Sequence, residues 1–165
     1  MAGAHSFQEL VTAGDRFLIT VERIPGRTAH DEALDKIVAF AARGRETGLF
    51  DALSLTDNPG GIPALSPDNL AAEIEAAGMP VIVHFPAKDM NRAMIESRAL
   101  ALERRGIRTL LVMSGDYPVE GQAGLSMPVF DLDPSHMLAM LDLMNRGMRF
   151  TGDSGAVEEG PRTSC

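Results

Sequence analysis

Short apolar runs alternate with longer amphipathic stretches along most of the chain, and this alternation predicts its secondary structure. The short runs are rich in β-branched and aromatic residues, as buried strands are, and occupy residues 17–22, 50–56, 80–85 and 108–114. The longer stretches have apolar residues at helical spacing and predict helices over residues 32–44, 67–77, 91–105 and 135–146. Asp31 and Ser66 are suitable N-caps for two of these helices, and a glycine stands near the end of each of the first three.

Four strand–loop–helix units in succession predict an α/β fold with parallel strands, because a helical crossover returns the chain in the same direction. Four units are half of a TIM-type (β/α)₈ barrel; a complete small four-stranded sheet is the alternative architecture. We assign this partial barrel domain to residues 1–152. The segment after residue 148 is rich in Gly, Ser and charge and offers no fifth strand, and we predict that residues 153–165 form a polar, flexible tail.

Composition narrows the class of partner. The 165 residues carry a net charge of −8, and the 15 Lys and Arg are scattered, whereas a nucleic-acid-binding surface needs a basic stripe. No apolar run approaches the roughly 20 residues that cross a bilayer. The single cysteine, Cys165, cannot form an internal disulfide, which fits a reducing cytoplasm. We therefore expect a cytoplasmic protein that binds small molecules, with neither nucleic acid nor membrane as a partner.

Polar or titratable groups stand at the end of each predicted strand. Such ends gather at one edge of a parallel sheet, where ligands bind. The residues at these positions are Glu22, Thr56, Asp57, His84, Ser114, Gly115 and Asp116. Their shared position indicates a functional rim.

Four of these residues also have a structural interpretation. Glu22 could form a surface ion pair with Arg23, and His84 could be a buried, hydrogen-bonded histidine of the core. Asp57 and Asp116 both stand next to turn-forming residues. The four histidines have no metal-ligand spacing and there is no cysteine pair, so we expect no metal site.

Six segments, in order along the chain, resemble the methylenetetrahydrofolate reductase family. The segment TVERIPGR resembles the family's first strand with its glutamate, and SLTDNPGG the end of its second strand. The segment HFPAKDMNR is similar to the third strand and the start of its helix, and LLVMSGDYP to the fourth strand with its Gly-Asp pair. PVFDLDP and MNRGMRFTG resemble the bacterial branch of the family.

This resemblance implies a flavoprotein that reduces 5,10-methylenetetrahydrofolate to 5-methyltetrahydrofolate, with FAD relaying hydride from NAD(P)H. It implies that Glu22 is the general acid that protonates the folate nitrogen and that Asp116 tunes the electrostatics near the flavin and pterin. The residues that it places around FAD are Thr56, His84, Ser114, Gly115 and Asp116. One-carbon metabolism and methionine biosynthesis follow as the expected context.

The chain departs from the family pattern in three respects. Arg23, Ile24 and Gly26 stand where the family has aromatic residues and two prolines after the glutamate. Ser114 stands where many members have an arginine or another residue before the Gly-Asp pair. The family barrel also has four further units, so we expect self-association or a second chain to complete the barrel. The alternative function is a non-redox folate- or pterin-binding module, or a partner subunit in methyl-group transfer.

Overall fold

A computed structural model of the chain describes residues 6–118, 126–151, 157–159 and 163. Its main sheet contains β1 (Thr20–Arg23), β2 (Ala52–Leu55), β3 (Val81–Pro86) and β4 (Leu110–Met113). The helices are α1 (Phe7–Ala13), α2 (Glu32–Thr47), α3 (Pro67–Ala76), α4 (Arg92–Arg104) and α5 (Pro134–Arg146). Short 3₁₀ turns follow β2 at Pro59–Gly61 and β3 at Ala87–Asp89.

All four strands of the main sheet are parallel and stand in the order β1-β2-β3-β4. The predicted α/β class with four parallel (β/α) units is therefore confirmed. Sequential order is the order of strands in a (β/α)₈ barrel, whereas a doubly wound sheet reverses its order at a switch point. β2 is buried throughout, but the edge strands β1 and β4 are partly exposed. The sheet therefore presents two open edges.

The helices begin where the sequence provides capping side chains. The Asp31 carboxylate accepts a hydrogen bond from the backbone N–H of Ala33 at 3.0 Å, as the sequence predicts. Asn91 and Asp133 cap α4 and α5 in the same way, each accepting a bond from the N–H three residues later. Each cap lies soon after the loop at a strand end, so it helps to fix that loop as well as its helix.

One helix end was predicted incorrectly. Helix α2 does not stop near Gly44 but continues to Thr47, and Gly48 is the left-handed residue (φ 64°) that ends it. Gly44 is buried inside the helix because the ring of Phe50 packs against it: a Cβ there would lie 2.1 Å from the Phe50 Cζ. Phe50 also stacks on Phe40, with ring centroids 5.2 Å apart. The glycine therefore serves a close approach and not a helix stop.

Two parts of the described chain were not predicted. The first is helix α1, which Ser6 and Glu9 begin with a capping box. The second is an antiparallel hairpin of β5 (Arg149–Thr151) and β6 (Val157–Glu159), whose second strand lies within the segment predicted as a tail. This hairpin is a separate two-stranded sheet and not a fifth parallel strand.

The core lies between the central strands and the helices. It includes Leu53, Leu55, Val83 and Phe85 from the sheet and Ile74, Ile95 and Leu102 from the helices. Met137, Met140 and Met144 of α5 stand at helical spacing and are buried in the same core. Thr163 donates a hydrogen bond to the Met144 carbonyl at 3.2 Å. Most of the predicted tail 153–165, and residues 119–125 of the loop after β4, lie outside the described residues.

No helix in the described part of the chain is both long and apolar enough to cross a membrane.

Replacing Gly44 by Ala should destabilise the chain by about 1–3 kcal/mol, because the new methyl group displaces the Phe50 ring. Ala also has a higher helix propensity than Gly, which stabilises the variant by about 1 kcal/mol. The steric cost is therefore larger than the measured loss of stability by about this amount. Urea unfolding followed by circular dichroism measures the change. The double variant Gly44→Ala/Phe50→Leu should lose less stability than the sum of its single changes. A gain of stability in Gly44→Ala alone would contradict the close packing.

Candidate functional site

The carboxyl ends of the four strands surround a cavity of about 190 Å³. Its lining residues are Glu22, Thr56, Asp57, Asn58, Pro59, His84, Pro86, Lys88, Met113, Gly115 and Asp116. The structure thus brings together Glu22, Thr56, His84, Gly115 and Asp116, which the sequence predicts as site residues. Ser114 is the exception: it lies next to the cavity but is not part of its lining.

A polar row crosses three adjacent strands below the cavity. Glu22 of β1 stands opposite Ser54 of β2, and His84 of β3 lies two residues beyond Ile82, which pairs with Ser54. Side chains two residues apart share a face of a sheet, so the three polar groups meet. The Ser54 Oγ is 2.8 Å from the His84 Nε2, and the Glu22 Oε2 is 3.7 Å from the same nitrogen.

Burial decides the charge of His84. The residue is only 7% exposed, and burial lowers the pKa of its imidazole below the usual value, although the charges of Glu22 and Asp57 act in the opposite direction. Desolvation therefore outweighs the attraction of the two carboxylates, and the ring is neutral near pH 7. A neutral imidazole can hydrogen-bond a ligand without placing a positive charge beside it.

Glu22, Ser54 and His84 do not form a catalytic triad of serine, histidine and acid. Such a triad needs the serine on one ring nitrogen and the carboxylate on the other. Here the Ser54 Oγ and the Glu22 Oε2 both approach Nε2. Glu22 is also much more exposed than a buried triad acid, with 59% of its side chain accessible. The arrangement instead leaves the Glu22 carboxyl free to act on a molecule in the cavity.

Thr56 presents a buried hydroxyl without a partner. The residue is 4% exposed, and its Oγ1 makes no hydrogen bond to any residue that the structure describes. Its backbone N–H donates to the Arg23 carbonyl at 3.1 Å, which fixes Thr56 beside the end of β1. A buried hydroxyl without a hydrogen bond is costly. Because Thr56 lines the cavity, a polar group of a ligand is the natural partner for Oγ1.

Gly115 allows the loop after β4 to lie against Lys88. Its φ is +83°, and a Cβ would come within 2.8 Å of the Lys88 Cδ and 3.1 Å of the Pro86 Cβ. The Ser114 carbonyl accepts a hydrogen bond from the Lys88 N–H at 3.0 Å, so Ser114 contributes backbone to this contact. Any larger residue at position 115 would push the loop away from the cavity.

A network of buried charges supports the loop after β2. The Arg98 guanidinium of α4 is 2.5 Å (Nη1) from the Asp57 Oδ2, and its Nε and Nη2 donate to Asp68 at 2.6–3.2 Å. Its Cζ lies 5.1 Å from the Phe85 ring centroid. The sequence prediction missed Arg98, although its position signals a buried partner: it follows Ile95 by three residues and precedes Leu102 by four, on the apolar face of α4.

Two further contacts join the loops around the cavity. The Asn58 Nδ2 donates to the Asp89 Oδ2 at 3.2 Å, and the Lys88 Nζ donates to the same oxygen. On the other side, Gly61 (φ +74°) lies so close to Pro118 that a Cβ would be 2.5 Å from the Pro118 Cα. The loops after β2, β3 and β4 therefore form one connected rim. Lys88, only 1% exposed, is the second charged residue that the sequence prediction missed.

Arg23 does not neutralise Glu22 as a surface ion pair. Its guanidinium carbon lies 4.3 Å from the centre of the Phe40 ring and stacks on that ring. Glu22 instead approaches His84. The structural interpretation of Glu22 as a member of such a pair is therefore wrong. His84 is buried and hydrogen-bonded, as its structural interpretation requires, and it also lines the cavity.

Larger depressions lie away from the strand ends, and two of them exceed 500 Å³. One, of about 760 Å³, is formed by the start of α2 and part of α3 and is lined by Asp31, Glu32, Asp35 and Glu73 among others. The other, of about 510 Å³, lies between α1, β4 and α5. Neither contains a residue of the rim. Among the residues that the structure describes, no cluster of three or more His, Cys, Asp or Glu could hold a metal ion.

No protein-family model matches the sequence, and a search of curated proteins gives no match. The fold and the cavity define an α/β protein with a small site, lined by polar side chains, at the carboxyl edge of a parallel sheet.

The depressed pKa of His84 predicts a component of stability that disappears in acid. Because the imidazole takes up a proton more readily in the unfolded chain, stability should fall as pH drops through the ordinary value of about 6.5. Urea unfolding at pH 5–8 measures this dependence. The variant His84→Gln should lack that component, and His30→Gln, at an exposed position, should retain it. Equal pH dependence of the wild-type chain and His84→Gln would contradict the assignment.

The Thr56 hydroxyl, which has no hydrogen-bond partner among the described residues, predicts a substitution that stabilises the chain. Thr56→Val exchanges the hydroxyl for a methyl group of similar size and should stabilise the ligand-free chain by about 1 kcal/mol or more, because it removes a buried group without a hydrogen bond. Thr56→Ser keeps the hydroxyl and loses the methyl, so it should be less stable than the wild type. Thermal unfolding distinguishes the two. Loss of stability in Thr56→Val would show that Oγ1 has a partner in solution.

Proposed function

We propose that this chain is a methylenetetrahydrofolate reductase-like flavoprotein that reduces 5,10-methylenetetrahydrofolate to 5-methyltetrahydrofolate. The reductant in this proposal is NAD(P)H and the cofactor is FAD. One observation carries the proposal: five of the six residues that the family resemblance assigns to the site line a single cavity at the strand ends. The five residues come from four separate segments of the sequence.

The cavity has features that suit part of a flavin. Thr56 offers a hydroxyl that lacks a partner, and the neutral His84 ring stands in the same wall. Gly115 keeps the loop after β4 against Lys88 at the edge of the cavity. A volume of about 190 Å³ is below the roughly 300–1,000 Å³ of sites that enclose a drug-sized molecule. The remainder of FAD would therefore extend outside the cavity, over the rim.

When bound, FAD would supply the carrier through which hydride passes from NAD(P)H to the folate. The chain itself would position the reactants and handle the proton. Glu22 is suited to the proton step, because its carboxyl stands at the open side of the cavity and the neighbouring His84 is neutral. A ligand that covers this carboxyl would favour its neutral form, since desolvation disfavours charge. Glu22 would then donate its proton to the folate nitrogen.

Asp116 would act through its charge. It follows Gly115 at the mouth of the cavity and is exposed. A carboxylate at this place stabilises positive charge and accepts hydrogen bonds from ring N–H groups of a pterin or a flavin. This is the electrostatic role that the family resemblance assigns to Asp116.

The open edges of the sheet favour assembly. Among the described residues, strands β1 and β4 have a neighbouring strand on one side only, and Leu111 of β4 is 44% exposed. Unpaired strand edges readily pair with another chain. In this proposal a second copy, or a second chain, provides the strands that continue the sheet toward a barrel. The reaction, NAD(P)H as reductant and the single Cys165 fit a cytoplasmic location.

The size of the cavity supports a second candidate function. A space of about 190 Å³ holds a single ring system more readily than a dinucleotide. A non-redox module that binds the pterin end of a folate would use the same carboxylates and would not need FAD. This candidate predicts folate binding by a colourless protein.

The substitution Glu22→Gln tests the reductase. The purified chain is incubated with FAD, desalted and assayed for flavin absorbance, for bleaching by NAD(P)H and for folate reduction. The wild-type chain should retain flavin and reduce the folate. In Glu22→Gln, folate reduction should fall by at least about 100-fold, because the proton donor is lost, while NAD(P)H still bleaches the flavin.

The matched control is Glu32→Gln, at an exposed position in the first turn of α2, which should behave as the wild type. A wild-type chain that retains no flavin overturns the reductase. Unchanged folate turnover in Glu22→Gln overturns the role of Glu22 alone.

A further inference from the structure

We propose that Asp57 is a ligand-binding residue of the cavity and that Arg98 is the positioning residue that holds Asp57 there. The ligand presents an N–H or O–H donor of a heterocyclic ring system to the Asp57 carboxylate. This inference deepens the proposed function and rests on it for the identity of the ring system.

The first argument is the geometry of the Asp57 carboxylate. Its Oδ2 is 2.5 Å from the Arg98 Nη1, and its Oδ1 accepts no hydrogen bond from any residue in the described ranges. The side chain is 11% exposed and lines the cavity. One oxygen is therefore fixed by the protein, and the other remains available as an acceptor for a molecule in the cavity.

The second argument is the neighbouring Thr56, whose buried Oγ1 lacks a partner in the same cavity. Asp57 and Thr56 are adjacent in sequence and both follow the end of β2. A hydroxyl can donate or accept, while a carboxylate only accepts. Together they suit a polar group that offers at least one donor. Ring N–H groups of flavins and pterins, and the ribityl hydroxyls of flavins, share this chemistry.

The third argument is that Arg98 is held too firmly to serve a ligand itself. Its guanidinium donates to Asp68 from Nε and Nη2 and to Asp57 from Nη1, and its side chain is 8% exposed. Burial raises the pKa of the Asp57 carboxyl, while the charge and hydrogen bond of Arg98 lower it. Without Arg98 the carboxyl would take up a proton more readily and lose acceptor strength. Arg98 therefore acts on a ligand only through Asp57.

Asp68 provides a matched control, because it pairs with the same guanidinium but does not line the cavity. The variants Asp57→Asn and Asp68→Asn each remove one negative charge and one partner of Arg98. Both should unfold at similar denaturant concentrations. They should differ in ligand binding if Asp57 contacts the ligand, and should not differ if the network only supports the fold.

The experiment titrates the full chain and both variants with two probes, FAD and 5-methyltetrahydrofolate, by equilibrium dialysis. Asp57→Asn should weaken binding of at least one probe by about tenfold or more, which is the loss expected for a hydrogen bond to a charged acceptor. Asp68→Asn should change it by less than about threefold. The probe that responds identifies which ring system donates to Asp57.

A titration of the binding constant against pH separates positioning from support of the fold. In Arg98→Met, binding should weaken at a higher pH than in the wild-type chain, because Asp57 is protonated there more readily. In Arg98→Lys, which restores the charge, part of this shift should be reversed. A uniform loss of binding at every pH in Arg98→Met would overturn the positioning role.

The outcomes also separate this inference from the proposed function. Wild-type binding of FAD with equal affinity in Asp57→Asn and Asp68→Asn overturns the role of Asp57 and leaves the reductase standing. Folate binding that depends on Asp57, without FAD binding, supports the inference and overturns the reductase. Binding of neither probe by the wild-type chain overturns both.

Discussion

The parallel register of the four strands is the constraint on which the rest of the structure depends. It aligns Glu22 with Ser54 and places His84 on the same face, so that polar groups far apart in the sequence meet below one cavity. Each helix crossover returns the chain to the same edge, and the loops that follow the strands are therefore neighbours. Displacement of one strand by a single residue would turn its polar group to the other face of the sheet.

The cost of this convergence is a concentration of carboxylates in a small space. Glu22, Asp57 and Asp116 all line the cavity. The structure limits their repulsion in different ways: Asp57 is paired with Arg98, whereas Glu22 and Asp116 remain in contact with solvent. A neutral His84 adds no counter-charge. The site therefore retains a negative character that suits ligands with hydrogen-bond donors.

Much of this arrangement could be predicted from the sequence, because strand runs, caps and strand-end residues are local signals. Asp31 begins α2 and the four strands pair as expected, and Glu22, Thr56, His84, Gly115 and Asp116 all reach the cavity. The end of α2 was misjudged because a glycine that meets a side chain from elsewhere looks like a helix stop. The partners of Arg98, Asp57 and Asp68, could not be named in advance because they lie on other elements. Lys88 was missed because it is covered by the loop after β4, where Gly115 lies against its stem.

The contact between Gly115 and Lys88 has a consequence for how this chain and its relatives can change. The glycine has no side chain where the lysine stem passes, so the two positions share one volume. A larger residue at position 115 needs both a residue type that tolerates a φ of +83° and a shorter side chain at position 88. A shorter side chain at position 88 with glycine kept at position 115 would leave a void. In an alignment of related sequences, positions 88 and 115 should therefore covary. Such covariation would show that the loops of the rim pack in the same way, whether or not the related proteins bind the same ligand.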